Sequence, residues 1–247
     1  MNIRQYLDST YLKTPLQAGI TESESIQVAK EYIQEAISEH FKLIMIRPDR
    51  VALAKEMIDE AHSNVQIGTV IGFPEGTASV EEKLKEANQA IQDGADDLDF
   101  VCNYEAFKND DVALVKNEIL AGTALGLKNN KVVKWIIEVA ALNETQIIQL
   151  SALIKNIVIS NFEEEDYASV FVKSSTGFYK TENNLPNGAT VPTITLMLEN
   201  ASPLPVKAAG GVRTYEEAVE MIRLGVKRIG TSGAKAIANG ENTPIEY

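Results

Sequence analysis

The sequence predicts a single-domain α/β fold, a (β/α)8 TIM barrel, on three observations. Eight short, β-branched apolar runs alternate with longer amphipathic stretches. The chain has 247 residues, close to the roughly 250 that one such barrel needs. The first strand-to-helix turn lacks GxGxxG, which weakens the rival doubly wound dinucleotide-binding sheet. No linker or low-complexity segment interrupts the alternation. One domain is therefore expected over residues 1–247, with a short tail over about 239–247.

The expected strands are, in order, Gln5–Asp8, Leu43–Ile46, Gln66–Ile71, Asp97–Val101, Val133–Ile137, Val170–Lys173, Val206–Ala208 and Arg228–Gly230. Runs this short and continuous suit strands buried on both faces. Helical patterns lie between them. Over Ser79–Asp93, Val80, Leu84, Ala87 and Ile91 share one face, and Ser79 with Glu82 forms a capping box. Over Tyr215–Leu224, Thr214 is the N-cap, Glu216 and Glu217 occupy the first turn, and Gly225 follows the end. His40 and His62 fall in helical patterns and are expected on the surface.

The formal net charge of -12 repels nucleic acid and acidic membranes, so neither is an expected partner. An anionic substrate would need a local positive site. No stretch approaches the roughly 20 apolar residues of a membrane span, and MNIRQYLDST lacks the apolar run of a secretory signal. One cysteine, Cys102, cannot form an internal disulfide; a cytoplasmic location is expected.

Functional residues of a barrel gather at the C-terminal ends of its strands, and the unusual residues are there. Strand side chains alternate. If Val170 and Val172 face the helices, Lys173 points into the barrel. Lys207 is inward by the same parity on the next strand. Two inward lysines on neighbouring strands are costly unless used. Asp97 and Asp99 face inward if Leu98 and Phe100 pack on helices, and mid-strand aspartates are disfavoured by propensity. They read either as counter-ions for a buried lysine or as catalytic carboxylates. Lys134 has a parity that also allows an inward position, or else is a charge at the strand start. Gly210-Gly211 and Gly230-Thr231-Ser232-Gly233 follow the last two strands, where barrels commonly hold a phosphate on loop amides and a short helix N-terminus. Ser232-Gly233-Ala234-Lys235 can open such a helix.

These segments together resemble the deoxyribose-phosphate aldolase family. The similarity runs from Leu7-Asp8-Ser9-Thr10 to Ser232, through Val70–Gly76, Gly94–Asp99, Val133–Glu138, Phe171–Phe178, Val206–Thr214 and Arg228–Ser232. It implies a class I aldolase that reversibly cleaves 2-deoxy-D-ribose 5-phosphate to acetaldehyde and D-glyceraldehyde 3-phosphate. Lys173 would be the Schiff-base lysine, Lys207 its electrostatic partner, Asp99 the proton-relay carboxylate and Lys134 its neighbour. Thr176, Gly177, Gly210, Gly211, Thr231 and Ser232 would lie at the phosphate, and Thr10 near the substrate hydroxyl. Tyr247 is a candidate proton carrier from the tail. No metal and no organic cofactor is implied; the partners are small phosphosugars and aldehydes, with a homodimer as the possible assembly. The alternatives are another Schiff-base phosphosugar aldolase of transaldolase type and a non-catalytic phosphosugar-binding barrel.

Three positions depart from the family pattern. Gly233 stands where many members have a second serine. Asn187-Gly188-Ala189-Thr190 replaces the usual GGAT. Met45 stands where others carry a reactive cysteine, which implies greater aldehyde tolerance.

The chemistry makes one demand. A free lysine has a pKa of about 10.4, so at pH 7.5 only about one in a thousand is neutral. A second ammonium about 5 Å away, at an effective dielectric of about 20, contributes roughly 3 kcal/mol of repulsion. Lys207 is therefore expected to be a sufficient cause of Lys173 activation.

Overall fold

A computed structural model of the chain describes residues 2–182 and 185–241. The strands are β1 (Leu7–Tyr11), β2 (Leu43–Ile46), β3 (Gln66–Ile71), β4 (Asp97–Val101), β5 (Val132–Ile136), β6 (Val170–Lys173), β7 (Val206–Ala209) and β8 (Arg228–Thr231). All pair in parallel and close, β8 onto β1, into the expected eight-stranded barrel.

The helices are α1 (Pro15–Ala18), α2 (Glu22–Ser38), α3 (Val51–Glu60), α4 (Val80–Gln92), α5 (Tyr104–Lys108), α6 (Val112–Lys128), α7 (Glu144–Asn161), α8 (Val191–Ala201), α9 (Tyr215–Leu224) and α10 (Ala234–Ala238). Capping boxes start α2 (Thr21 with Glu24), α4 (Ser79 with Glu82), α7 (Asn143 with Gln146), α8 (Thr190 with Thr193) and α9 (Thr214 with Glu217). Each satisfies amide groups that the first turn leaves without helical partners. α10 begins at Gly233 without a side-chain cap.

The main correction is at β1, which runs three residues beyond the expected end. Ile3–Tyr6 instead forms a 3-10 turn. The true strand therefore carries Asp8 and Thr10 on one face. β5 starts and ends one residue early, and β7 and β8 each extend one residue further than expected. His40 and His62 are exposed, as expected, but each follows a helix in a left-handed conformation (φ 53 and 49) rather than lying within it.

One apolar core lies between strands and helices; Leu98, Phe100, Val133, Trp135, Val170, Val172 and Val206 belong to it. The inside of the barrel is divided. On the β2–β3 side it is apolar: Leu43, Met45 and Val70 pack with Leu12. A Cβ on Gly68 would lie 2.5 Å from Met45 Cε, so the small residue makes room for the large one. Across β1 and β4–β8 the interior is charged, and there the site is built.

Candidate active site

Register sets the charged residues in two neighbouring rows. Asp99 pairs with Lys134 across β4–β5, Lys173 with Lys207 across β6–β7, and Lys207 with Arg228 across β7–β8. Side chains at paired positions point the same way, so their heads converge in the barrel.

Asp99 sits at the centre. Its Oδ1 accepts from Lys134 Nζ at 2.8 Å, and its Oδ2 accepts from both Lys173 Nζ and Lys207 Nζ at 2.9 Å. The Lys173 and Lys207 nitrogens therefore lie within twice that distance of each other. Lys134 also donates to Asp97 Oδ2 at 2.5 Å. Lys207 meets Asp8 Oδ2 at 2.6 Å as an ion contact rather than an aligned hydrogen bond. Arg228 grips Asp8 Oδ1 through Nε at 2.7 Å and reaches Asp97 at 3.4 Å.

All seven groups are buried. The lattice holds three carboxylates (Asp8, Asp97, Asp99) against four cations (Lys134, Lys173, Lys207, Arg228), so one cation is in surplus. Lys134 has two carboxylates, as do Lys207 and Arg228, whereas Lys173 has only a share of Asp99. Lys173 is the member that loses its charge most easily.

The pKa shifts follow that count. Burial lowers Lys173; Asp99 opposes the fall, Lys207 adds to it, and the result is about 8. For Lys134, burial acts downward too, but Asp97 and Asp99 outweigh it and raise the value. Burial would raise Asp99, yet Lys134, Lys173 and Lys207 hold it well below the usual carboxylate range, so it stays ionised. This corrects the expectation about Lys207. Its repulsion on Lys173 is real, but both ammonium groups touch the same Asp99 oxygen, whose attraction outweighs it. Desolvation is the larger cause of the lowered Lys173 value, and Lys207 alone is not sufficient.

Above Lys173 opens a cleft. Thr10, Thr176, Gly177, Gly210, Gly211, Thr231 and Ser232 all line it, with Lys173 at its base. Lys207, Lys134 and Asp99 are not in its wall; they stand behind Lys173. The threonine hydroxyl protons are already engaged: Thr10 donates to Asp8 O at 2.8 Å, Thr231 to Val212 O at 3.0 Å, and Thr176 to Glu138. Gly210 and Gly211 both adopt positive φ (78 and 89), a backbone path that favours glycine. Met45 lies in the apolar half of the barrel with Leu43 and Leu12. Tyr247 lies outside the described residues.

Four residues were not singled out from sequence. Asp8 and Arg228 complete the lattice; the parity of β1 would have shown Asp8 had the strand been placed correctly. Arg213 lines the cleft and supplies a local cation, the feature the net charge demanded. Glu138 follows β5 with φ 54 and sends its buried carboxylate under the β6 loop. Burial raises its pKa against the hydrogen bonds of Thr176 and Ser175 and the charge of Lys173.

The chain is similar to known proteins over nearly its full length. The profile of the DeoC/LacD family aldolases matches residues 6–240. The deoxyribose-phosphate aldolase of Thermococcus kodakarensis is 38% identical over 239 residues, covering 96% of each chain. Deoxyribose-phosphate aldolase 1 of Oceanobacillus iheyensis is 36% identical over 248 residues, covering 100% of each. Among solved structures, the tetrameric deoxyribose phosphate aldolase of Aeropyrum pernix superposes with a TM-score of 0.76 at 25% identity, over 96% of this chain and 89% of that one.

Proposed function

The chain belongs to the DeoC/LacD family of aldolases, and on that premise we propose that Lys173 is the amine that carries its chemistry. The enzyme is a class I aldolase cleaving 2-deoxy-D-ribose 5-phosphate to acetaldehyde and D-glyceraldehyde 3-phosphate, and joining them in reverse. The observation that supports the assignment of Lys173 is its position as the surplus cation of a buried lattice, at the base of the open cleft.

With a pKa of about 8, roughly a tenth of the amine is neutral at pH 7. Its lone pair attacks C1 of the open-chain aldehyde. The carbinolamine loses water to an iminium, which accepts the electron pair as the C2–C3 bond breaks and the C3 hydroxyl gives up its proton. Glyceraldehyde 3-phosphate leaves. The remaining enamine takes a proton at C2, and hydrolysis releases acetaldehyde and restores Lys173.

Asp99 touches Lys173 and Lys207 through one oxygen. We assign it, with Lys207, to passing protons to and from the carbinolamine and enamine, directly or through water. Lys134 holds the other Asp99 oxygen and keeps the carboxylate ionised and aimed. At the cleft mouth the backbone of Gly177, Gly210, Gly211 and Ser232, with Arg213, would receive the phosphate; Thr231 braces that wall, and Thr10 would face the sugar hydroxyls. Tyr247 keeps its place as a candidate proton carrier.

No described helix is long and apolar enough to cross a membrane. A cytoplasmic location is proposed with it, supported by the single buried cysteine and tested by fractionation of cells. A homodimer is likewise a proposal, to be read by sedimentation.

The direct test couples cleavage of 2-deoxyribose 5-phosphate to detection of glyceraldehyde 3-phosphate. Lys173→Leu should lose turnover by about 10⁴-fold or more with its fold intact. Retained cleavage would refute the assignment of Lys173. A wild-type enzyme that prefers ketose phosphates to the deoxypentose would point to a transaldolase-type activity.

A further inference from the structure

Glu138 is a buried carboxylate beside the cleft that stands outside both the charged lattice and the reaction above. It adopts a left-handed backbone (φ 54, ψ 69), a conformation unfavourable outside glycine that persists where the surroundings impose it. Its Oε2 accepts from Thr176 N at 3.1 Å and from the Thr176 hydroxyl. Thr176 Oγ1 in turn accepts from Phe178 N at 3.0 Å. Its Oε1 lies 2.8 Å from Ser175 Oγ. That hydroxyl also stands 2.6 Å from Asn187 O and accepts from Gly177 N at 2.9 Å. Asn187 closes the ring by donating from Nδ2 to Gly177 O at 3.1 Å.

One arrangement of protons matches every group. Ser175 has one hydroxyl proton and faces two acceptors, Glu138 Oε1 and Asn187 O. The carbonyl has no proton to give and is the nearer of the two; with Ser175 donating to it, the contact with Glu138 needs a proton on the carboxyl. With that proton every group is matched: Glu138 donates to Ser175, Ser175 donates to Asn187, and Oε2 accepts twice from Thr176. The raised pKa of Glu138 agrees with this pattern.

Thr176, Gly177 and Asn187 line the cleft on the side where the phosphate is placed. We propose that Glu138, as a neutral carboxylic acid, is a positioning residue that holds the loop after β6 against the Asn187 segment and so sets affinity for the phosphate end of the substrate. It rests on the aldolase reading above and takes no part in the bond-breaking steps.

The test compares two substrates, 2-deoxyribose 5-phosphate and unphosphorylated 2-deoxyribose. Glu138→Ala should raise KM for the phosphate ester by about tenfold or more and change kcat/KM for the free sugar by less than about threefold. Glu138→Gln, whose amide can donate to Ser175 while its carbonyl accepts from Thr176, should restore KM to within about twofold of wild type. If Glu138→Ala fails to fold, Ser175→Ala carries the same expectation of a raised KM for the ester. A wild-type KM in the alanine variants, an equal loss on both substrates, or a Gln variant as impaired as Ala overturns the proposal. Borohydride trapping of acetaldehyde on Lys173 in each variant reports separately whether the aldolase site itself is assembled.

Discussion

Lys173, Lys207 and Asp99 form one electrostatic unit, and a change at any of them is felt by the other two. The lowered value of Lys173 means that attack requires loss of a proton, so kcat/KM should rise with pH through about 8 and then level. Lys207→Leu removes a repelling cation and leaves Asp99 with more negative charge to offer Lys173. Both effects raise the Lys173 pKa. At pH 7 the variant should lose about tenfold or more in kcat/KM, part of it recovered as the pH rises toward 10. An acidic limb that stays in place would show that Lys207 has no electrostatic hold on the nucleophile. At this scale much was legible in the sequence. Alternation put Asp97, Asp99, Lys173 and Lys207 on the inner face and allowed Lys134 there. What alternation does not supply is the balance of neighbours. Asp8 and Arg228 come from β1 and β8, distant in sequence; Asp8 offsets the charge of Lys207 and Arg228 holds Asp8 in place, while burial is the main cause of activation.

Elements place these residues by packing that tolerates little change. α6 lies against β5 through two glycines: a Cβ on Gly122 would come within 2.8 Å of the Trp135 ring, and one on Gly126 would overlap Val133 Cγ2. Trp135 is further fixed by its Nε1 donating to Thr123 at 2.9 Å. In an exposed helix Gly→Ala would stabilise by up to about 1 kcal/mol. Here overpacking against a buried β-branched strand costs about 1–3 kcal/mol, so Gly126→Ala should be destabilising on balance. Denaturant midpoints measure this, and a more stable variant would contradict the packing. Capping signals were readable: Ser79–Glu82 and Thr214–Glu217 fix the starts of α4 and α9 as expected. The start of β1 was not, because Gln5 and Tyr6 fit either a strand or the 3-10 turn they occupy, and only pairing with β2 and β8 decides it.

The whole barrel carries its charge in two places with opposite effects. Asp8 and Asp99 have native values below their unfolded ones, so their contribution to stability is complete above about pH 4 to 5 and is lost as pH falls through the lowered native values. Glu86, Glu118 and Glu138 are raised by burial, so mild acid relieves them first. Cooperative acid unfolding should therefore begin only below about pH 4, which circular dichroism against pH would follow; a midpoint above about pH 5 would contradict it. The division of the interior into an apolar side and a charged side was beyond the sequence, since it depends on which strands become neighbours on closure. The cleft and the lattice meet at Lys173, and the measurement that bears on it most directly is borohydride trapping with acetaldehyde as a function of pH, with the adduct located by peptide mass spectrometry. The adduct should fall on Lys173, with its rate of formation half-maximal near pH 8. An adduct on Lys134 or Lys207, or a midpoint near that of an ordinary lysine, would contradict the account.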